Sequence, residues 1–74
     1  MKAKVWMRYQ EETYWISGGN WRGRDGHCVH LLTWITDDLL RCTGGRAEGG
    51  DLELARQVAE RLGLRSEDVG SELE

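Results

Sequence analysis

A chain of 74 residues holds one domain and leaves little room for a deep, water-excluding pocket, so an enzyme is not expected. No apolar run approaches the roughly 18 residues of a membrane span, and residues 1–6 carry no apolar stretch behind Lys2 and Lys4, so neither a span nor a secretory leader is expected. The net charge of −3 hides an asymmetry: residues 1–36 hold five Lys/Arg against three Asp/Glu, while residues 37–74 hold five Arg against ten Asp/Glu.

All four tryptophans and both tyrosines fall in the first, mildly basic half. Each tryptophan can bury about 150–250 Å², so the core is expected around them. Two cysteines, Cys28 and Cys42, allow at most one disulfide, and the expected location is cytoplasmic, with both thiols reduced.

Residues 2–9 alternate, with Ala3, Val5, Met7 and Tyr9 on one side and Lys2, Lys4, Trp6 and Arg8 on the other. Period two predicts a strand with one buried face. Residues 10–12 are a polar turn, and residues 13–17 read as a second strand of a hairpin, with Thr13, Trp15 and Ser17 on one side. Gly18-Gly19-Asn20 ends that strand or bulges it, and Arg24-Asp25-Gly26 signals another turn.

Residues 27–36 are rich in Val29, Thr33, Trp34, Ile35 and Thr36, a strand composition. Cys28, Leu31, Leu32, Ile35, Leu39 and Cys42 are also spaced as one helical face with Gly44 behind them, so a helix competes. Strand propensity favours a third strand here and a short fourth over residues 39–43. Residues 1–43 then form a β-rich half. Residues 44–50 are a Gly-rich loop. Residues 51–63 carry the apolar stripe Leu52, Ala55, Val58, Ala59 and Leu62, which predicts an amphipathic helix with Asp51 as N-cap and Gly63 as its end. Residues 64–74 are a tail or a short final turn. The expected fold class is α+β, a small antiparallel sheet of three or four strands packed by one C-terminal amphipathic helix, all in a single domain.

The polar face of that helix, Glu53, Arg56, Gln57, Glu60 and Arg61, sits in the acidic half. A negative surface steers association with basic protein partners and discourages nucleic acid. The leading expectation is therefore a small non-enzymatic protein-binding or regulatory module, of adaptor or inhibitor type. The alternative is a small nucleic-acid-binding domain using Lys4, Trp6, Arg8, Trp15, Trp21, Arg22 and Arg24, since bases stack on rings while cations meet phosphates. The acidic pI of about 5.3 weighs against it.

Residues 55–73 have the spacing of a helix-turn-helix, but Glu67, Asp68 and Glu72 would face phosphates. Cys28, His30 and Cys42 are candidate metal ligands without a Cys-x-x-Cys pair, so a metal-stabilised structural protein ranks third. Cys28 with His27 or His30 as base lacks any sign of an electropositive pocket. The Gly-rich loop lacks the Gly-Lys-Ser/Thr ending of a phosphate loop, so no cofactor is expected. A homodimer is a further expectation, because a short β-rich chain gains core by pairing.

Overall fold

The computed structural model describes residues 3–42, 44 and 49–73. Four strands form one antiparallel sheet, β1 (Ala3–Tyr9), β2 (Glu12–Ser17), β3 (Asn20–Arg22) and β4 (Val69–Leu73), in the order β3-β2-β1-β4. Two helices, α1 (Gly26–Cys42) and α2 (Gly50–Arg61), and a 3-10 turn over Ser66–Asp68 complete the chain. The α+β class with an antiparallel sheet and a C-terminal packing helix is the one expected, and α1 joins α2 in covering the sheet.

Alternation builds the sheet as the sequence implies. Val5, Met7, Tyr14, Ile16 and Trp21 are buried beneath the helices, and the residues between them face away. Cross-strand pairs Val5↔Ile16 and Met7↔Tyr14 stack core residues, while Trp6↔Trp15 pairs the indoles on the other face. The β1–β2 loop is Gln10-Glu11, both left-handed at φ 51° and 66°. A two-residue loop with that handedness matches the twist of a hairpin. Lys2, placed in the first strand by its alternation, lies outside the described residues.

Gly18 and Gly19 turn the chain into β3 at φ 56° and 81°, angles that glycine adopts without a Cβ clash. Asp51 locks this turn from afar: its carboxylate oxygens accept hydrogen bonds from Gly18 N and Gly19 N, each at 3.0 Å. The expected N-cap role of Asp51 gives way to this bridge. Gly49 precedes the helix without a side-chain cap, and Asp51 and Glu53 still place charge in the favourable first turn.

Residues 27–42 are a helix, not a third and fourth strand. The β-rich part of residues 1–43 therefore stops at Arg22, and Thr43 lies outside the described residues. The physical reason is burial outweighing propensity. Strand-favouring Val, Ile and Thr cost a helix only a few tenths of a kcal/mol each, on the order of 0.5 or less. The stripe Cys28, Leu32, Ile35, Thr36 and Leu39 returns far more by covering the sheet. Thr33 and Thr36 donate their hydroxyls to Val29 O and Leu32 O, at 2.9 and 2.7 Å. Asp25 caps the start: its Oδ1 accepts from His27 N at 2.9 Å and from Cys28 N at 3.4 Å. Of the anticipated helical face, Leu31 is half-buried and Cys42 exposed.

α2 buries Leu54, Ala55, Val58 and Ala59, with Leu52 and Leu62 half-buried at the margins. Gly63 ends it, with Leu64 N donating to Ala59 O at 2.9 Å. The chain beyond is not a tail. Ser66–Asp68 makes one 3-10 turn, and β4 returns antiparallel beside β1, pairing Lys4↔Glu72 and Trp6↔Gly70. This replaces the second helix that the helix-turn-helix spacing of residues 55–73 requires. Of the Gly-rich loop, residues 45–48 lie outside the described residues.

Candidate functional site

Two surfaces carry the candidate residues, and they lie on opposite sides of the molecule. Both helices pack on one face of the sheet: α1 lies near β3 and α2 lies over β1 and β4. The outer sides of the helices form one surface. The uncovered sheet face forms the other.

On the helical side, Arg56, Glu60 and Arg61 are exposed, and Glu53 and Gln57 are half-buried. These five residues form a polar ridge between two shallow grooves. One groove is floored by Leu39 and bordered by Glu53, Gln57, Glu60 and Arg61. The other has Leu64 and Val69 at its floor. The ridge is less uniformly acidic than its half of the chain. Arg61 Nη1 reaches Asp38 Oδ2 at 3.0 Å, tying α2 to α1. At exposures of 47% and 41% the pair is worth well under ~1 kcal/mol. Across α1, α2 and the 3-10 turn, seven carboxylates stand against three arginines.

Trp34 belongs to the same side and is absent from every site candidate of the sequence reading. It is 65% exposed and is the one exposed large apolar side chain among the described residues. A strand reading of residues 27–36 hides its position. The competing helical spacing reveals it, because Trp34 falls opposite the stripe of Cys28, Leu32, Ile35 and Leu39. Around it on the helix surface lie His27, His30, Asp37, Asp38 and Arg41.

The open sheet face carries Lys4, Trp6, Arg8, Thr13, Trp15, Ser17, Asn20, Arg22, Gly70 and Glu72 by strand alternation. Trp15↔Arg22, Trp6↔Trp15 and Trp6↔Gly70 are paired neighbours, so one row runs Arg22–Trp15–Trp6–Gly70 across all four strands. Trp6 lies over Gly70, where a Cβ would stand 2.5 Å from its Cζ2. Lys4 Nζ sits 5.7 Å from the Trp15 ring centroid, within cation–π range. Both indoles remain half-buried and neither is part of the core. Arg8 and Arg22 are exposed and make no ion pair among the described residues.

Trp21 is not part of this row. Its side chain is 5% exposed in the core, and its Nε1 donates to Thr36 Oγ1 at 2.7 Å. The Gly18-Gly19 turn sets β3 in a register that turns Trp21 to the helices and Arg22 to the open face. Arg24 is exposed in the loop before α1 rather than on the sheet.

The metal candidates are not brought together. On a helix, Cys28 is buried, His30 points outward, and Cys42 is exposed at the far end, about 21 Å away at 1.5 Å per residue. No group of three or more His, Cys, Asp or Glu side chains is placed to hold a metal among the described residues. Nor do Cys28 and Cys42 pair across strands; both are free thiols. Cys28 Sγ lies 3.7 Å from Gln10 Oε1, as donor, and faces neither His27 nor His30. Beside it, Tyr14 is fully buried and its hydroxyl has no hydrogen-bond partner. Burial, reinforced by the neighbouring Cys28, raises the Tyr14 pKa well above the usual tyrosine value.

No helix among the described residues is long and apolar enough to cross a membrane. Compared with protein-family models, with curated proteins and with solved structures, the chain matches none.

Proposed function

We propose that this protein is a non-enzymatic protein-binding module, of adaptor or inhibitor type, whose contact surface is the outer side of its two helices. The observation that carries the reading is Trp34, 65% exposed on the solvent side of α1 with no structural task in the core. Tryptophan is among the residues that most often dominate binding energy at protein interfaces. Asp38, one helical turn from Trp34, is tied by Arg61 to the polar ridge Glu53, Arg56, Gln57, Glu60 and Arg61, which with its two grooves supplies a polar margin on the same side. The excess of carboxylates on this side favours a partner with a basic surface around an apolar pocket.

The test is affinity capture from the native host, followed by measurement of the purified pair. Trp34→Ala should leave the melting temperature unchanged, because an exposed side chain carries little folding energy. It should weaken the complex by about tenfold or more. Glu53→Lys with Glu60→Lys should slow association and reduce its salt dependence. A partner whose affinity is indifferent to Trp34→Ala and to both charge reversals would refute the reading.

A further inference from the structure

We propose that the open sheet face is a second binding site, one for single-stranded nucleic acid, with Trp15 and Trp6 as adjacent stacking platforms and Arg22, Arg8 and Lys4 as phosphate contacts. The helical-layer contact does not enter this argument, so either proposal can fail alone.

The first observation is what covers the sheet. Both helices bury their stripes on the Val5–Met7–Tyr14–Ile16 side. Nothing described lies across the other side, although it carries two of the four tryptophans. A solvent-facing strand position does not call for an indole, and here two stand directly paired across β1 and β2. Trp6 lies along the sheet over Gly70, which has no side chain to lift it. A side chain at position 70 would collide with the six-membered part of that indole, so the glycine is what lets the ring lie there. Trp15 lies beside it, bracketed by Lys4 at 5.7 Å and by Arg22, its paired neighbour on β3.

The second observation is charge. The chain as a whole is acidic, but the strand positions of this face hold Lys4, Arg8 and Arg22 against Glu72; at the margin, Arg8 borders a groove with Glu11, Glu67 and Asp68, so Arg22 is the cation set furthest from carboxylates. Glu72 is paired with Lys4 at the β4 margin, away from Trp15 and Arg22. Lys4 and Arg8 lie two residues to either side of Trp6, about 6.6 Å along the strand in each direction. Arg22 closes the row at its β3 end, about 10 Å from Trp6 at two strand spacings. Cations thus flank two ring platforms, as stacked bases with an intervening backbone require. The carboxylates of α1 and α2 are on the far side of the sheet. At physiological ionic strength a Debye length of about 8 Å screens them from a strand lying on this face.

An unpaired strand is favoured over a duplex because only unstacked bases can offer their faces to an indole. With both helices of the described residues on the other side, this face also lacks the element that most often enters a major groove. A sugar ligand would stack on the rings too, but would make no use of the charge of Arg22 and Arg8.

The test is fluorescence anisotropy of labelled oligothymidine, oligouridine and a mixed-sequence duplex, titrated with the intact protein from low to physiological salt. Binding of a single strand in preference to the duplex is expected. Its log affinity should fall against log salt with a slope of about −2 for three phosphate contacts. Trp15→Ala should weaken binding about tenfold, and Arg22→Glu, at an exposed site that spares the fold, should weaken it at least as much. Trp34→Ala should change nothing. Oligothymidine and oligouridine tell DNA from RNA. If Trp15→Ala lowers the melting temperature, the Arg22→Glu titration decides. No binding at low salt, equal binding of duplex, or binding that Arg22→Glu leaves intact would overturn the proposal. So would binding lost with Trp34→Ala and kept with Trp15→Ala, which would move nucleic acid to the helical layer.

Discussion

The two faces of the sheet are made from the same strands and differ in everything that alternation controls. Met7 and Arg8 are consecutive in β1; one is 0% exposed and the other stands in solvent. Trp21 and Arg22 are consecutive in β3; one is buried with its indole N–H satisfied, and the other ends the row of open-face side chains. The core face is closed by two helices and answers to packing. The open face holds two half-buried indoles that no helix covers among the described residues. The comparison implies that core-face substitutions register in stability far more than open-face substitutions, and the proposed nucleic-acid site would have the latter register in binding.

The largest effect expected from that contrast is at Met7. Met7→Ala deletes a fully buried side chain beside Tyr14 and beneath the helices and should cost about 2–5 kcal/mol, read by denaturant unfolding. For so small a domain that is a large share of total stability. Arg8→Ala, one residue along, should stay within about 0.5 kcal/mol. Similar losses at both positions would erase the distinction between the faces.

Thr36 comes next. It accepts from Trp21 Nε1 at 2.7 Å and donates to Leu32 O at 2.7 Å, joining β3 to α1 through a 1% exposed hydroxyl. Thr36→Val keeps the volume and leaves a buried indole N–H with no acceptor, at a cost of about 1–3 kcal/mol. A neutral result would mean that shape alone holds Trp21 inside.

These two positions also show how much of the molecule was legible. Met7 could be read directly, because β1 and β2 declare their faces by alternation over six or seven residues. The stripe of α2 is equally plain at Ala55, Val58 and Ala59. Thr36 could not be placed, because residues 27–36 combine strand composition with helical spacing. Only the sheet they cover decides between them. β4 leaves still less of a local signature: Val69-Gly70-Ser71 has neither alternation nor β-branched density, and its partner is β1, more than sixty residues earlier. Of the site, Lys4, Trp6, Arg8 and Trp15 were legible as one face, whereas Arg22 read as a loop cation and joins the face only through β3. Trp21 was misassigned because its side depends on the Gly18-Gly19 turn. Trp34 was missed with the helix that carries it.

A smaller and opposite effect is expected where the two faces meet, at the β1–β2 turn. Glu11 holds φ 66°, in the left-handed region that favours glycine. Glu11→Gly should stabilise the hairpin by about 0.5–1 kcal/mol, the relief of Cβ strain exceeding the added freedom of the unfolded chain. Its neighbour Gln10, at φ 51°, accepts from the Cys28 thiol. The same change there would forfeit that contact and gain less. Destabilisation by Glu11→Gly would place the strain elsewhere.

The smallest effect at neutral pH is expected at Tyr14, whose neighbour Trp15 looks out from the other face. The Tyr14 ring packs against the Gly23 backbone, leaving no room there for a Cβ, and its buried hydroxyl is unpartnered. The desolvation cost is already borne by the wild type. Tyr14→Phe should therefore change stability by no more than about 1 kcal/mol, on the stabilising side. Alkaline pH separates the two proteins. Burial first, and the adjacent Cys28 second, hold the folded-state pKa of Tyr14 above its unfolded value of about 10. The folded chain keeps this proton after the unfolded chain has released it. The contribution to stability is thus complete below about pH 10 and declines as pH climbs toward the raised folded value. Urea melts across that range should show wild type losing stability that Tyr14→Phe retains. Parallel losses would mean that the hydroxyl reaches water, and that the core face beneath the helices is less dry at Tyr14 than its burial implies.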